Sequence, residues 1–516
     1  MLRFPRRHLV GSGASSFLQA TASPRTDSCD IACRALTFKG YNCSQVRGQH
    51  FAPPTSFGHS PGSKCEPETV TPWCNHVVSG VDLLRNPKYN KGMAFTEEER
   101  AQLRLTGLLP PGIMTQSLQV ERVMANLAAI NNPLNKYSHL MALQERNSRL
   151  FYNVLHDNIE ELMPIVGNPT VGKACKNYGL IFRRPRGLFL SMKDRGRVRE
   201  VMNNWPSPSV QHIVVTDGEN VLGQGDLGIQ GMAIAVSNLA LTVACAGLAP
   251  HECLPVCIDV GTDNEDLLKD KFYFGLRHRR IRGEAYDDFI EEFMEACKTR
   301  FGESCTVLYK DFKYENANNL LMQHRANHPV YNDDLQGTAT VALAGLLAGL
   351  GSKNLANQTF LMVGAGEMGT TICDLLVYAL TRYHQISIPE ARSKIWLFDS
   401  KGLVVRDRMH DLQDHKMPFA QEAEPCTDLL QAINRLKPSV LIGTCTTAKT
   451  KAQTFTKEIM EAMTLHNAGK ANPVVFALSG RNSVSEGVET QEITAQDAYN
   501  WTNGNVTFLG GAQEEG

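Results

Sequence analysis

Three glycines, Gly364, Gly366 and Gly369, stand at G-x-G-x-x-G spacing with Glu367 among them, after the apolar run TFLMV and before a stretch of helical period. Glycines so spaced permit a tight turn and let a pyrophosphate approach the first amides of a helix, whose unpaired N–H groups and dipole favour anions. Asp399 ends the next apolar run, KIWLFD, where a carboxylate could hold a ribose hydroxyl. The chemistry implied is dinucleotide binding, with NAD or NADP as cofactor. A strand-to-helix turn that needs glycine only for close packing would give the same letters, so the spacing leaves both readings open. The fourteen cysteines follow no repeating spacing, and neither Cys29 with Cys33 nor Cys253 with Cys257 forms the tight Cys-x2-Cys pair of a zinc site. The run CLPVCIDV predicts a buried strand, and its thiols are expected to act as small reduced hydrophobes.

These residues need elements to position them, and the pattern predicts an α/β chain. Thr96, three residues before Glu99, has the arrangement of a capping box and opens a mostly helical N-terminal segment. Helical spacing continues through Gln119 to Ala129 and Tyr137 to Leu162. Short β-branched runs follow at HIVVTDG, CLPVCIDVG and CTVLYKDF, each trailed by a helical stretch. Such alternation predicts βαβ units around a parallel sheet, with ligands beyond the strand C-termini. A second alternating unit starts after Gly337 and carries the glycine turn. We therefore expect presequence and linker over residues 1–80, a first domain over 81–335 and a Rossmann-like domain over 336–516.

With 516 residues, several domains and a large core are expected. The 52 basic and 53 acidic side chains lack the excess positive charge that nucleic acid binding needs. The apolar stretch ATVALAGLLAGLG, at Ala339 to Gly351, falls short of a membrane span. No nucleic acid and no membrane are therefore expected as partners. The first 26 residues hold Arg3, Arg6, Arg7 and Arg25, several serines and no acid, which is the composition of a mitochondrial transit peptide; an arbitrary disordered extension on a cytoplasmic protein is the alternative.

Over roughly Phe95 to Phe508 the chain resembles the malic enzyme family. The stretches that carry the resemblance are GLLPP from Gly107, RNSRLFY from Arg146, FRRPRGLF from Phe182, VVTDG from Val214, GDLGIQGM from Gly225, CLPVCIDVGTDN from Cys253 and YNDDLQGTA from Tyr331. The resemblance implies a malic-type parallel-sheet domain followed by the dinucleotide domain, assembly into an oligomer, and oxidative decarboxylation of malate to pyruvate with NAD(P) and a divalent metal. That reaction takes a base for the hydroxyl proton, an acid for the enolate, a cation for the substrate carboxylate and carboxylate ligands for the metal.

The matching positions depart from that set. Where the family has its tyrosine acid this chain has Gly167, its lysine base falls on Asn238, and its malate-binding arginine falls on Asn220. The Glu-Asp of the metal site reads Lys310-Asp311, while Asp333 and Asp334 remain. The resemblance thus leaves Asp333 as a catalytic position and Asp311 and Asp334 as metal ligands, a poor cage beside an ammonium. Lys310 could instead take the electrostatic place of the metal among the three aspartates; a solvated surface lysine is the alternative. Ala477-Leu478-Ser479-Gly480-Arg481 departs where the family's asparagine reaches the substrate, Thr444-Cys445-Thr446-Thr447-Ala448-Lys449 implies a remodelled nicotinamide-side loop, and the end at Gly516 implies a shortened second domain. Lys416 falls near where NADP-preferring members have a lysine for the 2′-phosphate, and with Lys401 after Asp399 it leans the cofactor to NADP; ordinary surface lysines are the alternative. Arg122 and Arg146 match a regulatory dicarboxylate site of some members, with inter-helix salt bridging as the alternative.

Together these departures predict little or no malic activity and a regulatory or structural role, in a homo-oligomer or a hetero-oligomer with active relatives. An active decarboxylase using substitute groups, with Tyr309, Lys310 and Lys173 as candidates, is one alternative. A nucleotide-binding protein is the other.

Overall fold

The computed structural model describes residues 78–350, 352–444, 454–469, 471–478 and 492–511. The first region is helical, and asparagines set its breaks. Thr96 forms the expected capping box with Glu99 at the start of helix Glu97–Gln102. The helices that follow are α1 (Gln116–Ala128), α2 (Pro133–Arg146), α3 (Ser148–Asp157), α4 (Ile159–Val166) and α5 (Thr170–Lys176). The helical period from Tyr137 to Leu162 is therefore divided among three helices, at Asn147 and Asn158. The Asn147 side chain accepts from the Leu150 amide, so it offers the backbone a new start in place of another turn.

Five parallel strands form the first sheet in the order β1 (Leu188–Ser191), β3 (Cys253–Asp259), β2 (His212–Thr216), β4 (Thr306–Tyr309), β5 (Val330–Asn332). The pleat sends alternate residues to opposite faces. Val214 and Leu308 join the core under α6 (Met232–Ala246), while Ile213, Val215, Val307 and Tyr309 pack with Phe289 and Phe293 of α7 (Glu284–Phe301). Helix Gly228–Ala246 is long and apolar enough to cross a membrane by composition, a stretch the sequence reading passed over, but 67% of it is buried inside the fold.

A wide turn, Asp333–Gly337, leads from β5 into α8 (Thr338–Leu350) and so to the second sheet. That sheet runs β11 (Thr507–Gly510), β10 (Val474–Ala477), β9 (Val440–Gly443), β6 (Phe360–Val363), β7 (Ile395–Asp399), β8 (Gly402–Leu403). All pairs are parallel except β7 with β8. Strand order therefore reverses between β6 and β9, which opens a crevice at their C-terminal ends of the kind that takes dinucleotides. Among the described residues every cysteine is free, and all but Cys245 are buried.

Candidate functional site

Strand β4 ends on Tyr309, and the next two residues, Lys310 and Asp311, stand beside the Asp333–Gly337 turn. The Lys310 ammonium lies 2.5 Å from Asp334 Oδ1, 3.1 Å from Asp333 Oδ2 and 3.7 Å from Asp311 Oδ1. Its side chain is only 13% exposed, so it is no solvated surface lysine. The other carboxylate oxygens are also engaged. The Leu222 amide donates to Asp311 Oδ2, the Asp311 amide to Asp334 Oδ2 and the Tyr331 hydroxyl to Asp333 Oδ1, at 3.0, 2.7 and 2.8 Å. Burial pushes the Asp311 carboxyl up, with Lys310 pulling against it. At Asp333 burial is outweighed by Lys310 and Tyr331, which hold the carboxyl below its ordinary value.

A divalent metal needs several carboxylate oxygens free to converge on one point. Here all six oxygens of Asp311, Asp333 and Asp334 have partners, and the centre of the cluster is filled by Lys310. Among the described residues no group of three His, Cys, Asp or Glu is disposed to hold a metal. The residues present do not fit the metal.

Asn220 sits against this cluster, its amide donating to Asp311 O at 3.1 Å. Its loop is anchored by Arg280, whose buried guanidinium reaches Asp226 at 2.8 Å and Asp217 at 3.3 Å. Gly167 and Asn238 form a second group. Ser237, beside Asn238, donates to Val166 O, beside Gly167, at 2.6 Å. A Cβ built at Gly167 would lie 2.9 Å from Met163 O and 3.1 Å from Leu241 Cδ1, so a larger residue would displace backbone. The substitute groups fare unequally. Tyr309 points away from the acids into the α7 core, its hydroxyl 3.2 Å from Met294 Sδ, because the pleat turns it opposite to Lys310. Lys173 is exposed on α5. Arg122 and Arg146 are both exposed and form no ion pair with a described residue.

The glycine turn lies at the end of β6. Gly364 has φ +106, which only glycine adopts readily, and a Cβ on Gly369 would come within 2.2 Å of Gly364 O. Gly366 faces open space as N-cap of helix α9 (Glu367–His384). Thr444, at the end of β9, donates to Gly364 O at 2.8 Å and so closes the crevice floor. Asp399 ends β7, clamped by Arg408 at 3.0 and 3.1 Å and by Lys416 at 3.2 Å. Burial works against its charge, but the Lys401 amide, Arg408 and Lys416 outweigh it and hold the carboxyl below the usual range. Lys401 itself points to Asp411 and is 61% exposed. These residues fit the adenosine-diphosphate half of a dinucleotide. Positions 445–449 of the loop expected at the nicotinamide side, and 479–481 where the family's asparagine is expected, lie outside the described residues.

Sequence reasoning missed Arg280, Arg408 and Tyr331. The partners of Arg280 are distant in sequence and Arg408 lies in no motif, whereas Tyr331 stands two residues before its partner in YNDDLQGTA; for Arg280 the run RHRRIRG from Arg277, too basic for a flank of a core strand, was the available signal.

Two family models match. "Malic enzyme, N-terminal domain" covers residues 144–325, and "Malic enzyme, NAD binding domain" covers residues 335–514. The chain is 50% identical over 452 residues to an NADP-dependent malic enzyme of Phaseolus vulgaris, covering 87% of this chain and 74% of the relative. It is also 50% identical over 445 residues to a chloroplastic NADP-dependent malic enzyme of Oryza sativa subsp. japonica, covering 86% and 68%. A chloroplastic relative of Zea mays is 49% identical, covering 86% and 68%. These chloroplastic names overturn the mitochondrial reading of the N-terminus. Transit peptides of both organelles are rich in arginine and serine and poor in acids, so composition could not separate them.

Proposed function

The chain belongs to the malic enzyme family, and from that membership we propose that it is a non-catalytic homologue which keeps a nucleotide cradle and acts as a regulatory or structural subunit of an oligomer. The observation that carries this reading is the pair Gly167 and Asn238, joined through Ser237 and Val166. These positions match the family's acid and base, and neither side chain exchanges a proton near neutral pH. Asn220 adds no cation, and three aspartates against one lysine leave the substrate side net negative. A dicarboxylate meets repulsion there.

When bound, a nicotinamide dinucleotide supplies a hydride acceptor. This chain's own residues would hold its other half: the Gly364 to Gly369 turn takes the pyrophosphate, and Arg408 and Lys416 take a 2′-phosphate, which favours NADP. Assembly is supported by exposed apolar side chains: Phe182 and Phe274 lie with ring centroids 5.0 Å apart and planes tilted at 52°, and Leu180, two residues before Phe182, is 64% exposed.

The second reading, an active decarboxylase, is favoured by 50% identity to enzymes named for that activity. An assay with malate, manganese and NADP decides between them, using the full chain beside a restored form carrying Asn220→Arg, Asn238→Lys and Lys310→Glu, with and without Gly167→Tyr. Each missing acid or base costs ~10² to 10⁴ in rate, so no reduction above background is expected from the unrestored chain. Turnover there would sink the non-catalytic reading.

A further inference from the structure

We propose that Lys310 is an internal counter-ion that holds the junction between the two sheets in place of a divalent metal, and that the chain consequently excludes metal from this position. The inference goes beyond the question of turnover, because metal uptake and product formation are read separately.

The location comes first. Lys310 follows β4 of the first sheet, whereas Asp333 and Asp334 belong to the turn that becomes α8, the helix that packs on β10 and β11 of the second. The lysine contacts therefore tie the end of one sheet to the segment entering the other. A Cβ on Gly337, at the close of that turn, would fall 2.4 Å from Asp333 Oδ1, so the acid is packed tightly against its own turn.

The chemistry comes second. An ammonium has three donors, and three carboxylates face it. With a side chain 13% exposed, Lys310 depends on those acids for what water would otherwise supply. A divalent ion could enter only by expelling the ammonium, and the displaced charge would be left buried and unpaired. Breaking a buried pair from one side is strongly unfavourable. Amides of Leu222 and Asp311 and the Tyr331 hydroxyl occupy the remaining oxygens, so no alternative ligand set opens beside the lysine.

The test is a manganese titration followed by electron paramagnetic resonance, run on the full chain with melting curves in chelator and in manganese. The wild type should leave the free manganese signal unreduced at about 1 mM metal and melt at the same temperature in both buffers. Lys310→Met removes the cation and should melt roughly 5 °C lower or more in chelator, with recovery on adding manganese. Lys310→Glu should take up manganese and become chelator-sensitive. Lys310→Arg, which keeps the charge, should stay metal-indifferent, and it stands in if the methionine variant does not fold. Manganese uptake by the wild type would overturn the proposal, as would a methionine variant that melts with the wild type and ignores metal, or an arginine variant that requires metal. A wild type that turns over malate yet excludes manganese would instead overturn the proposed function and leave this inference standing.

Discussion

The C-terminal ends of the two sheets carry charge of opposite sign. At the end of β4 and β5, three aspartates share one lysine and the balance is negative. At the end of β7, one aspartate is shared by Arg408 and Lys416 and the balance is +1. On the proposed reading the first repels a dicarboxylate and the second attracts a phosphate. The two ends also differ in what builds them. The glycine turn works through backbone amides and the absence of side chains, so neighbouring substitutions leave it intact. The cluster around Lys310 depends on what particular side chains donate, so substitutions there would change its chemistry without disturbing the strands that hold it.

The largest effect expected from this contrast is at the positive end. Replacing Arg408 and Lys416 together by alanine should weaken NADPH binding by more than about 100-fold, since each charge-assisted bond to a phosphate is worth roughly 1.5–3 kcal/mol. NADH should be affected far less, and equal losses in a fluorescence titration would break the comparison. At the negative end, Asn220→Arg brings a guanidinium beside the acids. Malate binding measured by calorimetry should rise about 10-fold, the value of one such contact; no change would show that the charge balance does not govern that site.

A smaller effect is expected from pH. The Asp399 carboxyl is held below its ordinary value, so its contribution to stability is complete above the unfolded value and lost as pH falls through the folded one. The difference in melting temperature between wild type and Asp399→Asn should therefore be present near pH 6 and shrink below about pH 4. A difference that grows on acidification would contradict the clamp. The smallest effect is expected from Lys401→Ala. Its partner Asp411 is exposed, and stability should change by less than about 0.5 kcal/mol in urea denaturation.

Much of the frame was legible in the residues. The Thr96 box, the strands at His212, Cys253 and Cys305, and the glycine turn after Phe360 to Val363 all appear where local pattern puts them. Local signals suffice there because a cap, a pleat and a tight turn each depend on residues within a few positions. Less legible was the helix from Tyr137 to Leu162, where apolar spacing persists across Asn147 and Asn158 and only the cap geometry reveals the breaks. Tyr309 was the plainest failure: adjacency to Lys310 suggested a shared site, yet the pleat sends adjacent residues to opposite faces.

The sequence by itself determined that glycine stands at position 167 and asparagine at 220 and 238, because identity at a position is a covalent fact. It also determined the alternation that yields two parallel sheets. What Lys310 does was decided only in three dimensions. Its partners lie next to it at Asp311 and more than twenty residues away at Asp333 and Asp334, and a lysine among aspartates reads alike whether solvated or enclosed. The same holds for Arg280 and Arg408. Electrostatic roles depend on distance and burial, both set by how strand ends converge, and neither is written in the spacing of the letters.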